Sequence, residues 1–447
     1  MTYNLTQGKI AKSLIGFSLP MICGNILQQF YNVADTLIVG RTIGATALSA
    51  VGSSYALMVL LTSLILGLCM GSGVVFSQLW GAGRKDEMKT CIFNGLIFIF
   101  AVTVVINILS FLLLENFIVW LNIPAQAVEF TREYLRVIFT GIIFVYIYNF
   151  FASVLRSVGN TLVPLIFLAV SAVLNIVLDI VFIVSFSMGV EGAALATVIA
   201  QGVSAVAITI YFFLKGRDIC PAKTHMHLGK RYIKMILSNS LLTAIQQSVM
   251  NLGILMVQGL VNSFGFAVSA AFAAVVKIDA FAYMPAQDFG NAFSTFVAQN
   301  YGAGKKNRIN QGYKTAILIS SIFCAVSSAC VFIFASPLMQ LFVKAEEAEI
   351  ISIGVGYLRT EGACYVGIGI LFLLYGQYRS IGKPSISLVL TVISLGLRVA
   401  LAYILSAIPE FGIMGIWISV PIGWAIADIF GMVLYRIKRE KYLPEEA

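Results

Sequence analysis

Long apolar runs, broken only by short polar or glycine-bearing segments, constrain this chain more than any other feature. Twelve of them lie near residues 13–39, 46–78, 91–114, 131–155, 161–186, 192–214, 234–262, 267–299, 313–336, 351–378, 385–407 and 413–435. A helix crosses a bilayer with about 20 apolar residues, so every run is long enough to span. The second and eighth are longer than a bilayer requires, which predicts helices that tilt or project beyond the hydrocarbon. Only 11% of the 447 residues are charged, against about 25% in a soluble domain. A water-exposed surface cannot be built from that supply. The expected fold is all-α integral membrane, with twelve transmembrane helices. The first run follows Lys9 and Lys12 as a signal peptide would. It continues too far, however, and carries Asn25, Gln28 and Gln29 where small cleavage-site residues belong. It reads as a retained first span.

The net charge of +9 suggests a nucleic-acid partner until its placement is considered. Lys and Arg gather at the two ends and in every second connection: Arg84, Lys85 and Lys89; Arg156; Lys215 to Lys234; Lys305 to Lys314; Arg379 and Lys383; Arg436 to Lys441. That alternation is the positive-inside pattern of an even-spanning bundle. It predicts cytoplasmic termini and no nucleic-acid partner.

The chain also repeats itself. Gln78-Leu-Trp-Gly-Ala-Gly-Arg84 returns as Gln299-Asn-Tyr-Gly-Ala-Gly-Lys305, and Tyr134-Leu-Arg136 as Tyr357-Leu-Arg359. Arg156-Ser-Val-Gly159 returns as Arg379-Ser-Ile-Gly382, and Gly189 and Gly192 as Gly412 and Gly415. Ordered matches at a nearly constant offset mark a fused duplication. Six spans per copy leave both halves in the same orientation, so the copies form two six-helix lobes related by a pseudo-two-fold (parallel duplication). The expected division is an N-lobe over 1–214, a cytoplasmic linker over 215–233 and a C-lobe over 234–447. The glycines of the Gly81-Ala-Gly83 and Gly302-Ala-Gly304 loops are expected to make tight helix-connecting turns.

Seven cysteines form no CxxC pattern, so neither a disulfide framework nor a zinc site is indicated. The only histidines, His225 and His227, fall in the polar linker and read as solvated. An intramembrane enzyme is disfavoured: there is no HExxH, and the phosphate-loop lookalike from Gly376 to Lys383 has five intervening residues instead of four. No cofactor is expected.

Polar groups inside the spans carry the functional information, because a carboxylate at mid-span costs about 2.5–3.5 kcal/mol on insertion scales. Gln28, Tyr31, Asn32 and Asp35 recur at i, i+3, i+4 and i+7 on one face of span one. Asn175 and Asp179 share a face of span five, and Thr197 and Gln201 a face of span six. The repeat offsets carry Asp35 to Gly253 and Asp179 to Ala402, so the second half lacks these acids. That asymmetry points to function rather than to a structural ladder. Two carboxylates in one dry chamber cannot both ionise cheaply; together they suit a proton, or sodium with the help of Asn and Thr oxygens. Further cavity candidates are Tyr146, Tyr283, Asp288 and Glu361. Lys277 stands near Asp279 for local neutralisation, Arg398 on span eleven is placed to meet Glu361, and Asp428 suits the interface. Aromatic faces such as Tyr146 and Tyr283 attract organic cations. Pro20 cannot donate to the Gly16 carbonyl, which predicts a bend in span one.

With Tyr31-Asn-Val-Ala-Asp35-Thr, the Gly-Ala-Gly loops, Arg156-Ser-Val-Gly-Asn160, Asn175-Ile-Val-Leu-Asp179 and Gly192-Ala-Ala-Leu-Ala-Thr197, the chain resembles the multidrug and toxic compound extrusion (MATE) family over nearly its whole length. That family is part of the multidrug/oligosaccharidyl-lipid/polysaccharide flippase superfamily, and the DinF-like branch is the nearer match. The resemblance implies a V-shaped transporter that exchanges protons or sodium for small amphipathic organic cations. Asp35 and Asp179 would be the coupling carboxylates, supported by Tyr31, Asn175 and Thr197, with Pro20 as the bending proline of helix one. The expected setting is a bacterial cytoplasmic (inner) membrane. The expected partners are the substrates and membrane lipids, and the expected state is a monomer. A lipid-linked saccharide flippase of the same superfamily is the alternative, although the N-half stripes hold acids and no Lys or Arg.

Overall fold

A bilayer offers no water to satisfy the backbone, so each crossing segment must pair its own N–H and C=O groups, which a helix does. The computed structural model describes residues 3–121 and 123–443, and the described residues form helices and no strand. The first copy runs α1 (Ile10–Thr42), α2 (Ala45–Gly81), α3 (Lys85–Leu112), α4 (Leu114–Trp120), α5 (Val128–Thr140), α6 (Ile142–Ser157), α7 (Leu162–Asp179) and α8 (Gly189–Lys215). The second repeats that order as α9 (Lys230–Asn262), α10 (Phe266–Gly302), α11 (Lys306–Ile333), α12 (Ala335–Gln340), α13 (Ala348–Gly362), α14 (Tyr365–Ser380), α15 (Pro384–Ser406) and α16 (Gly412–Tyr442). Corresponding helices begin 220 to 223 residues apart, which bears out the duplication.

Among the described residues, ten helices are long and apolar enough to cross a membrane unbroken. The remaining two expected spans are bent pairs: α5 with α6 turns by 41° and α13 with α14 by 51°. At the first bend a Cβ on Gly141 would meet Val198 Cγ2 at 2.9 Å and the Ile138 carbonyl at 3.1 Å. The two long runs are single helices of 37 residues each, α2 and α10. As expected, Gly83 and Gly304 turn the chain after them with φ of +70° and +69°, values that a side chain would strain.

By packing, the helices divide into two units. One holds Tyr3 with Cys23–Ala244; the other holds Asn4–Ile22 with residues 245–443. This differs from the division expected at 215–233. α1 changes unit between Ile22 and Cys23, and α9 between Ala244 and Ile245. Pro20 lies inside a continuous α1, shortly before its change of unit at Cys23.

Within the first unit, α2 presses Gly67 and Gly71 onto α9. A Cβ on either would lie 2.4 Å from the Ala244 or the Ser240 Cα. Small residues four apart let backbones touch, which is how helices gain packing when lipid supplies no hydrophobic drive. Asn94 of α3, fully buried, donates to the His227 carbonyl at 2.9 Å and accepts from the Gly229 N–H at 3.0 Å. His227 is exposed as expected, but His225 is half-buried, with Nε2 3.2 Å from Asp86 Oδ1. The segment before α9 is therefore docked on α3. In the second unit, the backbone carbonyls of Leu5, Thr6, Gln7 and Gly8 are held by Asn300, Lys305 and Arg308, at 2.6 to 3.2 Å.

Candidate functional site

Three helices of the first unit carry the expected polar stripes into one cluster. α1 supplies Tyr31 and Asp35 one turn apart, and α8 supplies Thr197. α7 supplies Asn175 and, as its last residue, Asp179, after which the chain widens into a π-helical turn over Ile180–Ser185. Such turns often mark functional sites. Asp179 is fully buried, and Asn175 and Tyr134 are buried beside it.

The carboxyls of Asp35 and Asp179 lie close enough to share a hydrogen bond. That bond exists only while one of them carries a proton. With both ionised, Asp35 Oδ1 and both oxygens of Asp179 have no donor at all. No ion pair among the described residues involves either acid. Asn175 Nδ2 donates to Thr197 Oγ1 at 3.3 Å, and that hydroxyl donates to the Ala193 carbonyl at 3.1 Å. Asn175 Oδ1 is left buried without a donor. The cluster thus offers four bare oxygens and no fixed positive charge, an arrangement that receives a cation.

Tyr31 lies near Gln28 and within electrostatic reach of Asp35 and Asp179. Tyr134, one of the tyrosines of the repeated Tyr-Leu-Arg motif, reaches both acids and Tyr31; residue spacing did not single it out as a site residue. Asn32 is half-buried on α1, and Gln201 is half-buried on α8 with Oε1 beside Gly141. Tyr146 stands apart from this group. Its hydroxyl donates to the Leu96 carbonyl at 2.6 Å, and its ring packs against Phe100 and Phe150, so it is a core residue.

The remaining candidates belong to the second unit. There Asp279 accepts from the Tyr365 hydroxyl, and Glu361 lies near Tyr357, the counterpart of Tyr134. The two acids are mutual neighbours with Arg398 in range of both, although no ion pair within 4 Å forms among the described residues. Arg398, not Lys277, is the cation facing Asp279; Lys277 is exposed. Asp288 is buried on α10, and Tyr283 stacks on Phe372. Asp428 is buried, 5% exposed. The halves are therefore not alike at their polar centres. The first holds acids without a cation, and the second holds acids beside an arginine.

A two-lobe bundle of membrane-spanning helices with buried acids along them is the architecture of a membrane transporter. The MatE family model matches residues 20–181 and 240–404, and the chain belongs to that family. It is 29% identical over 440 residues to the probable multidrug resistance protein YpnP of Bacillus subtilis (strain 168), covering 98% of each chain. It is 26% identical over 431 residues to the probable multidrug resistance protein NorM of Thermotoga maritima, covering 94% of this chain and 90% of that one. A solved multidrug resistance MATE family transporter of the MOP superfamily, in its outward-facing conformation, matches with a TM-score of 0.92 and 25% identity. The match covers 99% of this chain and 98% of that one.

Proposed function

We propose that this transporter exports small amphipathic organic cations in exchange for an inward-moving cation, a proton in preference to sodium, by alternating access. The names of its relatives, multidrug resistance proteins, support the substrate class. One observation carries the coupling: Asp35 and Asp179 meet with no basic partner. Two unit charges 4 Å apart repel by about 4 kcal/mol at an effective dielectric of about 20. Emptying the pair of its proton is therefore costly until another cation arrives. A proton needs only the two carboxyls, whereas sodium would also have to draw on Asn175 Oδ1 and the Thr197 hydroxyl.

The reading extends to the setting. The protein works in a bacterial cytoplasmic membrane with both termini cytoplasmic, as a monomer, with the coupling ion in place of any cofactor. The test is uptake of a cationic dye into everted vesicles or proteoliposomes, with proton and sodium gradients imposed separately. An acid-driven flux that disappears in Asp35→Asn and Asp179→Asn, with both variants inserted normally, supports the assignment. Undiminished coupled flux in both variants refutes it.

A further inference from the structure

We propose that the cleft between α11 and α16, at their basic ends, binds the phosphate headgroup of an anionic membrane lipid. The cleft has a volume of about 530 Å³, within the range of about 300–1,000 Å³ typical of ligand sites. Lys314, Arg436 and Arg439 border it, and none of its lining residues is acidic. Lys314 and Arg436 are exposed and make no ion pair among the described residues.

Glu440 is the exposed acid in the surroundings, and it is already engaged. It pairs with Lys306 and lies 3.4 Å from Arg439. The Lys306 ammonium beside it holds its carboxyl below the usual carboxylate range. Asp428 sits one helical turn before Met432, outside the cleft wall but within electrostatic reach of Tyr313.

The uncharged lining also favours an anion. The Tyr313 hydroxyl is buried and has no hydrogen-bond partner. Asn310 Oδ1 accepts from the Tyr435 hydroxyl at 3.4 Å, so the Asn310 amide nitrogen remains a donor. A wall rich in donors and cations matches the several acceptor oxygens of a phosphate, and Arg engages phosphate through paired N–H groups. The surroundings indicate a lipid as the source. Ile317 and Met432 form part of the wall, and Leu318, Val433 and Ile437 beside it are 61%, 51% and 72% exposed. Such surface belongs at the level of acyl chains, and basic pockets between membrane helices are where anionic headgroups settle.

The test uses the full-length protein in nanodiscs of mixed phosphatidylglycerol and phosphatidylcholine, with retained lipid read by native mass spectrometry. The double variant Lys314→Gln with Arg436→Gln removes two exposed charges. At about fivefold per cation, it should weaken phosphatidylglycerol retention about thirtyfold and leave phosphatidylcholine unchanged. A control, Lys215→Gln with Arg217→Gln on the first unit, should retain the lipid as the parent does. The proposal is overturned if the parent takes both lipids equally, or if the control loses the lipid as the double variant does. It is also overturned if inorganic phosphate displaces the lipid, which would make the cleft a free-anion site.

Discussion

Replacing Gly71 by alanine probes the packing that assigns the first part of α9 to the first unit. A Cβ there would lie 2.4 Å from the Ser240 Cα, 2.7 Å from the Asn239 carbonyl oxygen and 2.8 Å from the Ser240 nitrogen. Ordinary contact begins at 3.4 Å, so α2 and α9 must separate by about 1 Å. All three obstacles are backbone atoms, and no side chain can swing aside. Overpacking of this kind costs about 1–3 kcal/mol, while alanine returns up to about 1 kcal/mol of helix propensity. After that return the loss is about 0–2 kcal/mol. Gly52 supplies the control on the same helix, because its added Cβ would have nothing within 4 Å. There propensity acts alone, and Gly52→Ala should be neutral or stabilising. The assay is the fraction of purified protein that stays monodisperse after heating to a series of temperatures. Gly71→Ala should lower the midpoint and Gly52→Ala should not. Equal midpoints would refute the backbone contact and with it the placement of α9.

Two further outcomes follow from named contacts. Asn94→Ala leaves the His227 carbonyl and the Gly229 N–H without their partner, at about 1–3 kcal/mol for a buried group; protease cleavage within residues 215–229 should accelerate several-fold while α3 survives. Tyr134→Phe removes a hydroxyl beside Asp35 and Asp179 and should slow coupled flux with little change in thermal stability. Tyr146→Phe removes one that serves only the Leu96 carbonyl, so it should cost about 1 kcal/mol of stability and spare coupling.

The spans were legible because hydropathy needs only length and composition, and both persist over each run. The bends were not, since the apolar run continues across Gly141, and Arg359 and Glu361 before Ala363–Cys364 read as polar groups within a span rather than as a break. The passage of α1 and α9 between units is a matter of which neighbour each part touches. Its trace in the sequence was the Gly67 and Gly71 spacing on α2. Asp35 and Asp179 stood out because charge is rare and costly in such a setting, and their helical spacing gave their faces. Tyr134 did not, because the chain has 18 tyrosines and burial is their default. Its recurrence as Tyr357, also beside two acids, was the available signal. For Tyr146 the same default held, and the ring lies in the core. The offset that set Asp35 opposite Gly253 was two residues short, since α1 and α9 begin 220 residues apart; the counterpart is Leu255, so the acid is still missing from the second half.

The most direct measurement is the pH dependence of equilibrium binding of a monovalent cationic substrate to the purified protein. If an incoming cation displaces the proton held between the two carboxyls, each unit fall in pH should weaken binding tenfold wherever the pair is loaded, because one proton is released per substrate bound. The dependence should flatten in Asp35→Asn and in Asp179→Asn. A parent whose affinity ignores pH, or variants that keep the full slope, would contradict the account.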